Sequence, residues 1–381
     1  MYRPIQSAVT VAKRDGLVVA GLRAGERLVD HPYDKYVRFA HHWWKAAVRS
    51  PDSWRSRIAM LGYGWYPISA HLYSTASHPP ESYLSDLQEH LTIGINGRSR
   101  VYLDDKERCY ELLADRGFES LLPTLFGRIE DGVLVGAGRD FVSLLDREGS
   151  VVLKRRGGSG GRHVHIATAA DGHYAIDDVG LDATGLTASL SKYNRSLVTE
   201  YIHQAPYAGT IYPNTANSIR LLTMHPRDGS SFLARAVHRF GADTTGPVDN
   251  FSQGGLSAEI AEDGQLGRAV RYHEHAVTRH DTHPDTSANI RGVAIPGWET
   301  IVDQVLEVCE AIPELVYVGW DIIVEADGAF SIIEGNSHPS THVIQAHGPL
   351  LTDDRVRRFF AEHGISGHEH IDETVAEWNT A

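Results

Sequence analysis

A chain of 381 residues with 42% apolar residues has room for two or three domains and can bury a substantial core. Its formal net charge of −13, with no long Lys/Arg run, argues against a nucleic-acid groove or an anionic membrane surface as partner. Cys109 and Cys309 lie in separate helix-like stretches, which excludes a disulfide framework and fits a reducing compartment, the cytoplasm by default. Lys13, Arg14 and Asp15 interrupt the apolar residues before a signal-peptide core forms, and nowhere do about 18 apolar residues run together.

Residues 33–60 carry apolar and aromatic residues at helical spacing, broken at Ser50-Pro51-Asp52, where Ser50 or Asp52 is placed to cap a second helix. The first hundred residues read as mainly helical. Gly62-Tyr63-Gly64 lacks the preceding strand and third glycine of a dinucleotide turn, and the Trp43-Trp44, Trp54 and Trp65 neighbourhood reads as core and interface aromatics. A capped helix follows, with Asp104 or Asp105 at its start and Gly117 just past its end. Strand character opens at Leu121-Leu122-Pro123-Thr124. A short helix at Phe141–Leu145 leads to the strand Val151–Lys154, and strands at Ser196–Ile202, Ser218–Met224 and Phe232–Val237 alternate with turns. An amphipathic helix, Trp298–Ala311, precedes the final hairpin. The class is α+β with mixed or antiparallel sheets, and the polar, acidic tail from Gly367 is expected to be loosely held.

That hairpin carries the strongest chemical signal. Strand-like runs from Val316 and to Asn336 meet at Asp327-Gly328; a two-residue loop pairing Ala326 with Ala329 sets Asp321 opposite Glu334, with Cβ atoms roughly 5 Å apart. Asn336 shares their face. Neighbouring carboxylates repel unless a cation relieves them, and oxygen-only donors on a sheet suit Mg²⁺, which in such sites usually carries substrate phosphates. A surface hairpin with solvated acids is the competing reading.

Lys154 ends a strand and is followed by Arg155-Arg156-Gly157-Gly158-Ser159-Gly160-Gly161 before strand character returns at Val164. Glycines let successive backbone N–H groups turn toward an anion, and the lysine adds a point charge, so the loop reads as a phosphate lid; it lacks Gly-Lys-Ser/Thr and is not a P-loop. Arg220 shares a strand face with Ser218 and Leu222, where a buried guanidinium needs an anion, from a ligand or from a salt bridge. Asp249-Asn250-Phe251-Ser252-Gln253-Gly254-Gly255 is a turn open to close approach by a ligand. Among 22 histidines, His163/His165, His273/His275 and His368/His370 have i, i+2 spacing, but no His-Glu-x-x-His helix or Cys pair accompanies them, which weighs against zinc.

In this order, Asp105-Lys106, Lys154 with its glycine loop, Glu200-Tyr201-Ile202, Arg220, Asp321 and Glu334-Gly335-Asn336 resemble the ATP-grasp superfamily across residues 100–350. Asn217-Ser218-Ile219-Arg220-Leu221-Leu222-Thr223, Val248-Asp249-Asn250-Phe251 with Gly254-Gly255, Ile295-Pro296-Gly297-Trp298, Val318-Gly319-Trp320-Asp321 and Glu334-Gly335-Asn336 look more narrowly like its sugar-transfer-associated branch. The resemblance implies two α+β subdomains, 101–195 and 196–381, sandwiching ATP behind the helical region 1–100, whose candidate role is acceptor binding. It implies that Lys106 and Lys154 contact phosphates under a lid of Gly157, Gly158, Ser159, Gly160 and Gly161, that Glu200, Tyr201 and Ile202 hold adenine, and that Asp321, Glu334 and Asn336 bind one or two Mg²⁺. Arg220, with Lys154 and Asn336, would serve catalysis; Arg239, Asn250, Gly254, Gly255 and His338 are candidates for the acceptor side.

The implied chemistry is attack of a small-molecule carboxylate on the γ-phosphate of ATP, then displacement of phosphate by an amine or other nucleophile, leaving ADP. That makes a carbon–nitrogen ligase of specialised-metabolite or saccharide biosynthesis, with homodimer formation left open. The rivals are a kinase acting on a hydroxyl and a non-catalytic nucleotide binder. Two departures limit the comparison: no acid follows the hinge strand before Asp228 to hold the ribose, and the first hundred residues do not read as a Rossmann-like domain.

Overall fold

The computed structural model describes residues 34–158, 163–246 and 248–365. Lys13-Arg14-Asp15, Ser159-Gly160-Gly161 of the glycine loop, the tail from Gly367 and the His368/His370 pair lie outside the described residues. Helices Asp34–Arg49 and Trp54–Gly62 form as the spacing implies, but the cap of the second is Ser53, whose hydroxyl accepts from Ser56 N at 3.2 Å. Ser50 and Asp52 are engaged with each other and with Arg57 instead. Helices Pro67–Leu72 and Asp86–Thr92 follow, the latter started by a Ser85/Gln88 capping box.

The first sheet is built from β1 (Leu125–Glu130), β2 (Val133–Val135), β3 (Ser150–Arg155), β4 (Val164–Ala170), β5 (His173–Ile176), β6 (Val179–Leu181) and β7 (Ser196–Glu200) in the order β2-β1-β7-β3-β4-β5-β6. Every pairing in it is antiparallel. Val151, Leu153 and Val198 turn inward against Leu144, Leu145, Leu186 and Leu190 of the covering helices. Alternation along the strands then sends Lys154 and Leu197 to the other face. Because β7 belongs to this sheet, the chain leaves it after Glu200.

The second sheet holds β8 (Ile219–Met224), β9 (Phe232–Phe240), β10 (Leu256–Ile260), β11 (Leu266–His273), β12 (Ala276–His280), β13 (Tyr317–Val324) and β14 (Phe330–Asn336), ordered β12-β11-β10-β9-β8-β13-β14 and again antiparallel throughout. One face packs on Ile301, Val305, Val308 and Cys309 of the helix Trp298–Ala311, joined by Leu103, Cys109 and Leu113 from the helices Val101–Asp104 and Lys106–Asp115. The opposite face, with Leu222, Val237 and Tyr317, is roofed by Trp65, Leu72, Tyr83 and Leu84 and by Val343, Ile344, Phe359 and Phe360. Buried Gln345 pins the two halves of the roof: it accepts from Leu84 N and donates to Leu84 O, both at 2.9 Å. The segment from Trp65 to Leu84 is thus part of the core of the second sheet.

The β13–β14 hairpin pairs Asp321 with Glu334 as expected, but by a different route. Its loop has three residues, Ala326-Asp327-Gly328, because Glu325 N donates to Ala329 O at 2.8 Å and Gly328 takes a left-handed φ of 85°. That loop shifts the upper ladder by one residue, giving Ile322 opposite Ile332, and a β-bulge at Ile333 shifts it back below.

Candidate active site between the two sheets

The cleft between the sheets is lined by Tyr110, Leu122, Pro123, Lys154, Leu197, Ile333 and Glu334, with Lys106 at its rim. Asp105 caps the helix Lys106–Asp115 by accepting from Glu107 N at 3.0 Å, which fixes Lys106 on its first turn. Lys106 N donates to Arg156 O at 2.9 Å, and Arg156 reaches Asp105 and Glu107 at 2.9 and 2.6 Å, so the foot of the glycine loop is stitched to that helix. The Lys106 ammonium bridges Glu334 Oε1 and Gly158 O, each at 3.0 Å. Lys154 extends to Ile333 O at 3.4 Å. Burial, which the nearby Glu334 offsets only in part, and repulsion from Lys106 bring the Lys154 ammonium down to about 8.

On the second sheet, Arg220 lies directly across from Asp321 on the neighbouring strand and grips its carboxylate through Nε and Nη2, the latter at 2.8 Å. Arg239 of β9 adds Nη2 to Asp321 Oδ2 at 3.1 Å and to Asp249 Oδ1 at 3.5 Å. Ser218 donates its N–H to Asp249 at 2.8 Å and its hydroxyl to the same oxygen. Burial alone would raise the Asp321 carboxyl, and the two guanidinium groups overcome it and hold the group below the usual carboxylate range. The conspicuous Asn217 is structural: its side chain donates to Gln204 Oε1, Ala208 O and Tyr212 O and accepts from Gly241 N, fixing the entry to β8.

The expected residues divide accordingly. Two groups stand side by side because Asp321 pairs with Glu334: Lys106 bonded to Glu334 with Lys154 close by, and Arg220, Arg239 and Asn336 around Asp321, with Gly157 and Gly158 at the edge. Glu200 turns its carboxylate to Thr124, accepting from its N–H at 3.0 Å and its hydroxyl at 2.8 Å, and the chain crosses at Tyr201-Ile202 to the second sheet, where Ala205 N donates to Val324 O at 2.7 Å. Asn250 accepts from Ser252 N at 3.0 Å, Gly254 adopts a φ of 95°, and a Cβ on Gly255 would come within 3.0 Å of two backbone carbonyls, so these three residues shape a tight turn. His338 sits apart, beside Thr92 and Glu89. The apolar cleft wall was missed by the sequence reading; its only signal was Leu122-Pro123 ahead of β1 and the inward-outward alternation of β7.

Three oxygen-bearing side chains share one face beside four cations. Glu334 Oε2 has no hydrogen-bond partner among the described residues, and Asn336 directs its amide N–H toward Gly319 O and Asp321 Oδ2 at 3.2 and 3.4 Å, turning its own oxygen away. The donor set is one a hard divalent cation fits, while the surrounding ammonium and guanidinium groups match an anion.

The family described as sugar-transfer-associated ATP-grasp matches residues 87–356. The chain belongs to that family. No curated protein matches this ATP-grasp chain. Among solved structures it is similar to D-cycloserine synthetase DcsG, at 14% identity over 70% of each chain with a TM-score of 0.40. It is also similar to the ADP complex of purK, an N5-carboxyaminoimidazole ribonucleotide synthetase, at 8% identity over 64% of this chain and TM-score 0.37, and to the L-amino acid ligase of Bacillus licheniformis, at 12% over 65% and TM-score 0.36. The chain spans 47% and 43% of the lengths of the last two.

Proposed function

We propose that the protein is an ATP- and Mg²⁺-dependent ligase that activates a small-molecule carboxylate as an acyl phosphate and passes the acyl group to an amine or other nucleophile. The observation that carries this reading is the convergence of Lys106, Lys154, Arg220 and Arg239 on Asp321 and Glu334 at the cleft between the sheets. Lys106 and Lys154 hold the phosphates, Gly157 and Gly158 begin the lid over them, and Leu122, Pro123, Leu197 and Ile333 offer apolar walls to the base. Asp321, Glu334 and Asn336 would hold the magnesium, which when bound neutralises phosphate oxygens. Arg220 and Arg239 stabilise the negative charge that develops as a carboxylate oxygen bonds to the γ-phosphorus and the bridging oxygen departs with ADP. The nucleophile then attacks the acyl carbon, phosphate leaves, and the attacking amine gives up its proton. In this reading the acceptor binds on the Asp321-bearing face, beneath the helical roof, and the enzyme works in the cytoplasm.

The test is a panel of ¹⁸O-labelled carboxylates, each incubated with Mg·ATP and hydroxylamine as a general nucleophile. Hydroxamate formation together with ¹⁸O in the released phosphate is the expected result. ADP release with all label left on the carbon skeleton would overturn the acyl-phosphate route.

A further inference from the structure

The helix Asp86–Thr92 sets Asp86 and Glu89 three residues apart, on one side, toward the segment His338–His342 that follows β14. Each carboxylate is anchored by one oxygen only. Asp86 Oδ2 receives the Tyr66 N–H at 2.5 Å and the Ser69 hydroxyl at 2.7 Å, and Glu89 Oε2 receives the Thr341 N–H at 3.2 Å and the Thr341 hydroxyl. The remaining oxygens turn to imidazoles: Asp86 Oδ1 stands 2.6 Å from His342 Nε2, and Glu89 Oε1 stands 3.9 Å from His338 Nε2. One donor atom each from Asp86, Glu89 and His342 falls within a sphere of contacts no wider than 4.8 Å, and Asp86 is only 2% exposed.

The placement of the His338 ring is the second observation. The Thr92 hydroxyl has one proton, and its contact with Glu89 O at 2.7 Å is shorter than its contact with His338 Nδ1 at 3.2 Å. The hydroxyl therefore donates to the carbonyl and accepts from His338 Nδ1–H. Nε2, on the other side of the ring, faces Glu89 Oε1. His338 Nε2 and Glu89 Oε1 face each other across 3.9 Å with no hydrogen bond between them, a separation that a cation held by both would span.

We propose that Asp86, Glu89, His338 and His342 bind a divalent transition ion of the zinc type, which staples the N-terminal helical roof to the segment leaving β14. Two imidazole nitrogens and two carboxylate oxygens suit such an ion and disfavour magnesium, and the Tyr66, Ser69, Thr341 and Thr92 contacts are the outer hydrogen bonds that orient metal ligands. Without the ion, a proton on His342 Nε2 takes its place, shared between Asp86 Oδ1 and Ser69 Oγ, the latter at 3.0 Å. The sequence signal was an Asp-x-x-Glu on a capped helix and a His-x-x-x-His distant from it, spacings that meet only in the folded chain.

The experiment uses the full chain, stripped with EDTA and desalted, then titrated with ZnCl₂ against a chromophoric chelator with metal content read by mass spectrometry. One equivalent retained after desalting, unaffected by millimolar Mg²⁺, is expected. Glu89→Gln and His338→Ala should each weaken zinc binding at least about tenfold. Glu334→Gln, in the nucleotide cleft, should bind zinc like the parent, which separates this site from the magnesium one. His338 is partly exposed and makes one hydrogen bond, so its variant reports on the site without removing a buried anchor. A stripped chain that retains no zinc, or equal zinc affinity in parent, Glu89→Gln and His338→Ala, would overturn the proposal.

Discussion

Asp321 holds the Arg220 and Arg239 guanidinium groups and is one of the magnesium ligands we propose, so its removal has two expected effects. Asp321→Asn should abolish turnover and also cost about 3 kcal/mol, because Arg220 and Arg239 would be left without their shared counter-charge; a chemical denaturation midpoint measures the second effect. Glu334 has one ion-pair partner and is 23% exposed, so Glu334→Gln should remove turnover with the melting temperature nearly unchanged, and is the cleaner probe of the metal. Lys154 titrates near 8 in the free protein. Its positive charge is present below that value and lost above it, so the ATP dissociation constant should rise several-fold between pH 7 and pH 9, and Lys154→Met should weaken binding at pH 7 and flatten the profile. Calorimetry across that range checks both statements. The acid pair was legible in the sequence because its hairpin spacing is local, and Lys154 because a glycine run follows it; Lys106, which meets Glu334 only in the folded chain, came with the family resemblance. Arg239 as a second cation on Asp321 was not, since it depends on β9 and β13 flanking β8.

Gly319 illustrates how one element seats another. A Cβ there would come within 2.6 Å of Pro339 Cβ and 3.1 Å of Arg220 Cδ, so the glycine lets the segment after Asn336 lie over β13. Gly319→Ala should lower stability by about 1–3 kcal/mol and reduce turnover more than it weakens nucleotide binding, since it displaces Asn336 and Arg220 rather than the phosphate lysines; steady-state kinetics beside thermal melts test this. Elements with local signals were readable: the helix Trp298–Ala311 has the bounds its periodicity implies, and Asp105 caps the helix Lys106–Asp115. The hairpin loop was misjudged because Asp-Gly is compatible with both two- and three-residue turns, and the bulge that restores the register has no marker in the sequence.

At the scale of the molecule, the N-terminal helices and the C-terminal helix Asp354–Glu362 close over one face of the second sheet around Tyr317, which is fully buried. A chain beginning at residue 101 would expose Leu222, Val237, Tyr317 and Val343 and leave Gln345 without its Leu84 partners. It should lose cooperative melting by circular dichroism, although the family match begins only at residue 87. Sequence alone could not show this roof, because its contacts join residues more than two hundred positions apart, as Leu84 and Gln345 do. The bulge in β14 adds a consequence for how such chains tolerate insertions and deletions. Ile333 is the residue left out of the ladder, which frees its carbonyl for Lys154 on the opposite sheet. Deleting it would straighten the strand and still leave Asp321 across from Glu334, while taking away one wall of the cleft; a length change here would be silent for the acids and felt by whatever the cleft holds.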